Sequence, residues 1–511
     1  MWTRRDFLAA SGLLAAGATV TLGGTPVRAM GHAPLLHALS SVENDRVLVL
    51  VQLKGGNDGL NSVVPVRDDL YYRARPTLSL SRAQTRPLDP DFGLNGHLDA
   101  LMRYWERDRM AIVQSVGYPS PNLSHFVSTD TWLTGEIRDA TPLQDTTTGW
   151  LGRLNDALYP PSGPFPDAPP AVQVGTRLPL LGAGLETNLM MSLKDAQAVD
   201  TLAERGILYD PDAVPEGSYG PVLSYLRSVA NLSERYVAPV QAAAQAASTG
   251  EGYPSTTFAD NLAVVARLIK GRLGAKTYVV SLGNFDTHGN QLERHTRLCT
   301  ELAEGVHAFF GDLERSGDAK RVVLMTFSEF GRRVYENGSG GTDHGEASVV
   351  FLLGGDETVG GGLYGEPPDL TGENVPYQED FRSLYGILLR DWLGVQSDIV
   401  ASGTSDSAAL TGLIQTPFST TPSRSADALA AVYPNPATSR VVVEINLAQR
   451  QVVRLDVVDL RGRVVHTAAE RTIEPGLHRV PMMWGRLAAG VYTVRLRTSA
   501  GTSSRTVSVI R

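Results

Sequence analysis

Four short stretches of this 511-residue sequence hold residue types that bind cations or attack esters, and each follows an apolar run. The first reads Gly55-Gly56-Asn57-Asp58-Gly59-Leu60-Asn61, where Asp58 offers carboxylate oxygens from a loop whose glycines let backbone approach a ligand. A glycine turn carrying Asn and Asp serves equally as a structural device. The second, Pro121-Asn122-Leu123-Ser124-His125-Phe126, sets a hydroxyl beside an imidazole at an expected helix start. Ser124 is there either a nucleophile, which needs a base or a metal to help it ionise, or a helix cap. The adjacent His125 is expected to point elsewhere.

The third stretch is Phe285-Asp286-Thr287-His288-Gly289-Asn290. An aspartate and a histidine directly after a buried strand are costly without a partner, so Asp286 and His288 suit a divalent metal or a phosphate-like group. The alternative is that Asp286 caps the following helix, on which His295 is expected to face solvent. The fourth stretch is the densest: Ser328-Glu329-Phe330-Gly331-Arg332-Arg333, then a Gly-rich passage to Gly340-Gly341-Thr342-Asp343-His344-Gly345. Glu329, Asp343 and His344 are metal-ligand types, and Arg332 or Arg333 could neutralise an anionic substrate by bidentate contact. Otherwise Glu329 pairs with an arginine and the glycines form a surface turn.

The elements that must position these residues are legible as hydrophobic pattern. VLVLVQL, MAIVQSV, TYVVSL and a last strand, RVVLMTF, are continuous apolar runs, which predicts a buried, mainly parallel sheet. Helical patterns such as NLAVVARLIKGRL and LCTELAEGVHAFFGDLER lie between them, so helices should cover both faces. In open α/β sheets ligands collect beyond the carboxyl ends of strands, where all four stretches fall. Residues 413–429 are rich in Ser, Thr and Pro and read as a linker. Beyond them, residues 430–511 give short alternating strands divided by turns, a small all-β sandwich with no helix evident.

The formal net charge of −8 provides no basic field for a phosphate backbone, so nucleic acid is excluded as a partner. Cys299 is the single cysteine, which excludes an intrachain disulfide and any CxxC-type site. Any metal must use oxygen and imidazole ligands. Residues 1–29 read as an export signal: Arg4-Arg5, a weak apolar run, then Val27-Arg28-Ala29 as a cleavage site. No later run reaches about 18 apolar residues, so no transmembrane anchor is expected after processing.

The series GGND, NLSHF, FDTHG, TFSEFGR and GGTDHGE resembles the twin-arginine-exported domain-of-unknown-function family 1501, within the alkaline phosphatase and sulfatase-like superfamily, over most of residues 45–400. TRRDFL resembles a twin-arginine signal. Tyr433-Pro434-Asn435-Pro436, Asp459-Leu460-Arg461-Gly462-Arg463 and Leu487-Ala488-Ala489-Gly490-Val491-Tyr492 resemble the type A C-terminal sorting domain of type IX secretion. These resemblances imply an alkaline phosphatase-like α/β domain over 45–412. They also imply passage by the twin-arginine translocase and the type IX machinery through the periplasm to the cell surface or medium. Carried over by position, Asp58, Asp286, His288, Glu329, Asp343 and His344 would hold a divalent ion, Zn, Mg, Ca or Mn. Ser124 would attack and Arg332 would stabilise charge on a small anionic ester or sulfated glycan. The sequence departs from the superfamily pattern at Phe330, which stands where a histidine ligand is usual, and in the short Asp286–His288 interval. The expectation is a metal-dependent hydrolase of phosphate or sulfate esters; the rival is a catalytically degenerate binding or scaffold protein that keeps the fold. Replacing Arg4 and Arg5 with Lys should leave precursor inside the cell, and normal extracellular yield from that variant would refute the export assignment.

Overall fold

A computed structural model describes residues 45–395 apart from 139–146, 160–164, 186–187, 203–207, 211–212 and 216–218, together with 407–415, two short strands before residue 29, and most of 428–509. Arg4, Arg5, Ala29, most of the expected linker, and the tail segments Pro434-Asn435-Pro436 and 459–462 lie outside the described residues. The chain divides into two compact units, Met1–Phe418 and Ser419–Arg511.

The first unit is mixed α/β. The strands of its central sheet and of the ribbon beside it are β1 Val47–Leu53, β2 Met110–Gly117, β3 Ala171–Val174, β4 Met190–Leu193, β5 Thr277–Leu282, β6 Val322–Phe327, β7 Gly331–Glu336, β8 Thr342–Gly345, β9 Ser348–Gly354, β10 Gly362–Tyr364 and β11 Glu379–Asp380. The central sheet runs β10-β2-β9-β6-β1-β5-β3-β4, with β11 beside β2. β1 pairs in parallel with β5 and β6, Val49 lying opposite both Tyr278 and Leu324. β9 alone runs against its neighbours β6 and β2. β6 is therefore not the last strand. The carboxyl ends of β1, β2, β5 and β6 and the amino end of β9 all share one edge.

Six helices matter here: α1 His125–Thr134, α2 Trp150–Leu158, α3 Tyr219–Ala246, α4 Thr257–Lys270, α5 Gln291–Ser316 and α6 Phe381–Ile387. Successive residues of β1 point to opposite faces, so the strand feeds two cores. Val47, Val49, Val51 and Leu53 pack with Val240 of α3, Leu262 of α4 and Leu302 of α5. Leu48 and Leu50 pack in the other core with Trp132 of α1, Trp150 of α2 and Tyr385 of α6. A strand buried on both sides has no polar face, which is why it reads as a continuous apolar run. Leu413 and Ile414 are buried in the second of these cores, so the packed body extends past residue 412, where the linker was expected to begin.

The glycines of the passage after β6, Gly338 and Gly340, do form a surface turn, and it is the tip of a two-stranded ribbon. β7 and β8 pair as an antiparallel ribbon, Arg332 opposite His344. The loop after β1 passes beneath it. Gly56 has φ +84, and a Cβ there would stand 2.6 Å from the Phe330 ring. The glycines therefore admit Phe330 and the Asp286 loop, where a ligand had been expected.

The second unit is a sandwich. Ala428–Tyr433, Arg440–Leu447 and Gly476–Met483 form one sheet, and Val464–Thr467, Gln451–Val458, Gly490–Thr498 and Gly501–Val509 the other, with Arg471–Ile473 also paired to Gln451–Val458. Val443 and Met482 from the first meet Leu455, Val494 and Val507 from the second in one core.

Gly56→Ala should lower stability by about 1–3 kcal/mol or more, because it adds a steric clash to an unfavourable φ. Gly274 shares φ +84 but has nothing within 4 Å of its would-be Cβ. Gly274→Ala should therefore cost less in urea unfolding; equal losses would mean that the Phe330 ring yields freely.

Candidate metal centre

At the shared sheet edge three segments bring together His125 from the first turn of α1, Asp286 and His288 from the loop after β5, and His344 from β8. His288 Nε2 lies 3.0 Å and His344 Nε2 3.2 Å from Asp286 Oδ1, and His125 Nε2 lies 3.5 Å from Oδ2. His288 Nε2 and His344 Nε2 are 3.0 Å apart. His125, Asp286 and His344 can each offer one ligand atom so that all lie within 4.8 Å of one another.

Each ring is held from behind by an oxygen. His125 Nδ1 faces Glu329 Oε1 at 2.9 Å, His344 Nδ1 faces the Leu123 carbonyl at 2.9 Å, and His288 Nδ1 faces Asp343 Oδ1 at 3.3 Å. A carbonyl oxygen has no proton to give, so a neutral His344 carries its hydrogen on Nδ1 and turns an Nε2 lone pair toward Asp286. The two carboxylates favour the same tautomer in His125 and His288. Lone pairs of three imidazoles then face a carboxylate, which is repulsive unless a proton or a cation lies among them. Metal-ligating histidines have this form, with one nitrogen on the ion and the other bonded to a carboxylate or carbonyl. Leu123 presents its carbonyl from the left-handed region, φ 59, a conformation that costs a non-glycine residue about 1–3 kcal/mol.

The electrostatics follow. Burial opposes charge on Asp286, yet the hydrogen bond from Arg332, joined by one from His344 when that imidazole is protonated, holds its carboxyl down at about 2. Burial pushes His344 below its usual range against the pull of Leu123 and Asp286, while the hydrogen bond to Glu329 raises His125. A hydrogen bond from Asn337 lowers Asp343.

Several expected roles change. Arg332 is fully buried, and each of its three nitrogens is engaged: it donates to the carbonyls of Gly55, Gly56, Phe285 and Thr342 and, at 2.7 Å, to Asp286 Oδ1. It fixes Asp286 and does not face an incoming anion. Arg333 pairs with Glu373 at 3.3 Å. Asp58 does not join the cluster; it is buried against Arg75 at 2.7 Å and also accepts from Gln291. Glu329 stands behind His125, with Oε1 also accepting from the Gly55 amide at 2.9 Å, while its buried Oε2 has no hydrogen-bond partner. Asp343 likewise backs His288. Phe330 packs its ring 4.9 Å from His125 and 4.4 Å from His344, centroid to centroid, and so floors the site. Ser124 precedes α1 but makes no side-chain capping bond, and Asn290, not Asp286, occupies the cap position of α5.

A family profile described as protein of unknown function (DUF1501) matches residues 45–392. The chain belongs to the DUF1501 family. A second profile, the secretion system C-terminal sorting domain, matches residues 431–510, which implies export to the cell surface or medium by the type IX route. No curated protein matches in sequence. Among solved structures, the DUF1501 protein is similar to the PsFucS1 sulfatase from Pseudoalteromonas sp., at 10% identity over 88% of this chain and 87% of that one, TM-score 0.35. Phosphonate monoester hydrolase SpPMH from Silicibacter pomeroyi gives 10% identity, 90% and 88% coverage and TM-score 0.31. The lipoteichoic acid synthase LtaP from Listeria monocytogenes gives 8%, 78% and 81%, and 0.33. No helix among the described residues is long and apolar enough to cross a membrane.

Two contributors to the DUF1501 centre were not expected from sequence. His125 carried the same signal as the others, an imidazole just past a strand end, but its neighbour Ser124 drew the attention. The Leu123 carbonyl has no sequence signal at all. His295 is buried, where surface was expected: its Nε2 meets Asn57 Oδ1 at 3.1 Å and its Nδ1 meets Cys299 Sγ at 3.6 Å. Burial drives its pKa down to about 4. The unfolded chain protonates His295 near its ordinary value of about 6.5, so between the two values the unfolded state binds more protons and stability falls as pH falls. Between pH 7 and pH 4 the wild type should lose up to about 3 kcal/mol that His295→Gln does not lose. Parallel urea midpoints for the two proteins across that range would contradict this.

Proposed function

We propose that this chain is an exported, metal-dependent hydrolase of phosphate or sulfate esters. One observation carries the reading: three imidazoles, each bonded at Nδ1 to an oxygen acceptor, turn Nε2 toward the Asp286 carboxylate. The donors suit a divalent ion such as Zn or Mn, with Mg and Ca less well matched to imidazole. Charge agrees, since the carboxylates of Asp286, Glu329 and Asp343 outnumber the Arg332 guanidinium by two. His125, Asp286 and His344 would hold the ion, with His288 beside them. When bound, a divalent ion supplies Lewis acidity toward an ester oxygen.

The remaining roles belong to the chain itself. The Ser124 hydroxyl, not committed to capping, is next to His125 and is the candidate to attack the ester in line. His288 is half-exposed and backed by Asp343, so its Nε2 can take up or return a proton as the alcohol leaves. Phe330 excludes water from beneath the centre. A small anionic ester or a sulfated glycan is the substrate class, and the twin arginines at Arg4 and Arg5 deliver the folded chain to the periplasm before the sorting domain acts. The internal pairing of Asp58 and of Arg332 favours a second reading, a centre that keeps its ion as a binding scaffold without turnover.

Metal analysis with a screen of aryl phosphates, phosphodiesters and sulfate esters separates the two. Asp286→Ala and His344→Ala should each lose bound metal and the thermal stabilisation that metal confers. Glu329→Gln should weaken metal affinity about 10–100-fold, because it stops polarising His125. Ser124→Ala should keep metal and melting temperature and lose turnover. Parent-like metal content in Asp286→Ala and His344→Ala would end the shared-centre reading, and stoichiometric metal with no turnover of any ester would favour the scaffold.

A further inference from the structure

The geometry points to Gln291 as a positioning residue for the metal centre: its side chain sets the span between the loop that carries Asp286 and His288 and the strand that carries His344. The inference rests on the metal-centre reading above and deepens it. Gln291 is fully buried at the first position of α5, a helix of 26 residues whose Leu298, Leu302, Phe309 and Leu313 lie in the core. It is therefore a fixed point. From there its Oε1 accepts the Thr287 hydroxyl at 3.0 Å and the Thr342 hydroxyl at 2.6 Å. Thr287 lies between Asp286 and His288, and Thr342 precedes Asp343 and His344 in β8.

The orientation of the Gln291 amide is settled by its neighbours. Its Nε2 donates to Asp58 Oδ2. Burial opposes charge on Asp58, but Arg75 at 2.7 Å holds its carboxyl below the usual range, so the group accepts hydrogen bonds and cannot donate them. The amide nitrogen must face it, which leaves the oxygen for the two hydroxyls. Arg75 donates in turn to the carbonyls of Arg333 at 2.7 Å and Val334 at 2.8 Å. One buried string thus runs from β7 through Arg75, Asp58 and Gln291 to β8. Asp58 serves the centre from behind, through Gln291, and not as a ligand.

The grip differs in kind from the other ties between the two segments. Arg332 joins the Thr342 carbonyl to Phe285 and Asp286, and the Thr342 amide donates to the Thr287 carbonyl at 3.3 Å. Both act on backbone atoms of Thr342, whereas Gln291 holds its side chain, off the strand axis, and so resists twisting of β8. Side chains two apart on a strand share a face, so a twist that moved Thr342 would carry His344 with it. The packing at this joint is close, since a Cβ on Gly341 would stand 2.3 Å from the His288 carbonyl carbon. Ligand sets hold their chemistry only within about 0.5 Å of the productive arrangement, which makes the span worth fixing.

The test measures the zinc affinity of the full chain, parent and variants, by competition with a chromogenic chelator. Gln291→Met removes both halves of the bridge at similar side-chain length, and Thr342→Val removes one hydroxyl at constant shape. Each should weaken zinc binding about 10-fold or more, and Thr342→Ser should restore it. The double variant should bind as Gln291→Met does, because the hydroxyl then has no acceptor left to lose. Leu313→Ala, near the far end of α5, separates positioning from stability: it should lower the urea midpoint and keep zinc affinity. Parent-like affinity in folded Gln291→Met and Thr342→Val, or an equal loss in Leu313→Ala, would overturn the inference. Should Gln291→Met not fold, Thr342→Val and Thr342→Ser decide it alone. If the parent binds no zinc, the metal reading fails, and crystal structures of the parent and Thr342→Val decide the positioning role. His288 and His344 parted by about 0.5 Å or more beyond the parent spacing would sustain it, and unchanged spacing would overturn it.

Discussion

A buried guanidinium must find acceptors for its hydrogens or forfeit much of its solvation, and Arg332 meets that demand by drawing three separate segments onto itself. Gly55 and Gly56 come from the loop after β1, Phe285 and Asp286 from the loop after β5, and Thr342 from the β7–β8 ribbon. Four of the acceptors are backbone carbonyls, so most of the demand is met without side-chain chemistry. The one carboxylate among them, Asp286, is thereby fixed in position and kept ionised. The histidines are arranged around a charge whose place is set by the arginine beneath it.

Strand direction explains how a ribbon residue reaches this point. A sheet built wholly of parallel strands returns the chain to the far edge after each strand, through a crossover. Here β9 runs backward between β6 and β2, so the chain leaving β6 stays at the same edge, forms β7 and β8, and re-enters the sheet at Ser348 with Val116 as its partner. His344 and Glu329 thus belong to one excursion. Glu329 opens it by backing His125, and His344 nears its end. The orphaned Glu329 Oε2 is the remaining debt of this packing, about 1–3 kcal/mol for an unmatched buried polar atom.

The sheet and its helices were legible because β1, β2, β5 and β6 are buried on both faces and so open on runs that are mostly apolar. β9, SVVFLLG, is equally apolar but follows a polar, Gly-rich passage that hides it. The ribbon could not be read at all, since its pairing depends on what lies under it and not on an alternating pattern. In the centre, Asp286, His288 and His344 were legible as ligand types stranded after apolar runs. Sequence could not tell that Asp58 is neutralised by Arg75, because a carboxylate's partner is a matter of three-dimensional proximity. His295 is the instructive case. An imidazole reads as a surface group by its polarity, yet its spacing from Leu298, Cys299 and Leu302 puts it on the buried stripe of α5, and helical position outweighed residue type.

The bond from His344 to the Leu123 carbonyl joins residues 221 positions apart, and it closes only after β2, β6 and β9 have paired. In an unfolded chain the same groups are too dispersed to act together, since loop closure over such distances is entropically opposed. The centre is consequently a late product of folding and cannot gather an ion beforehand. For the metal-dependent hydrolase proposed above, the cation would then be decided by the ions available in the compartment where the sheet is completed, and less by the ligands' own preferences.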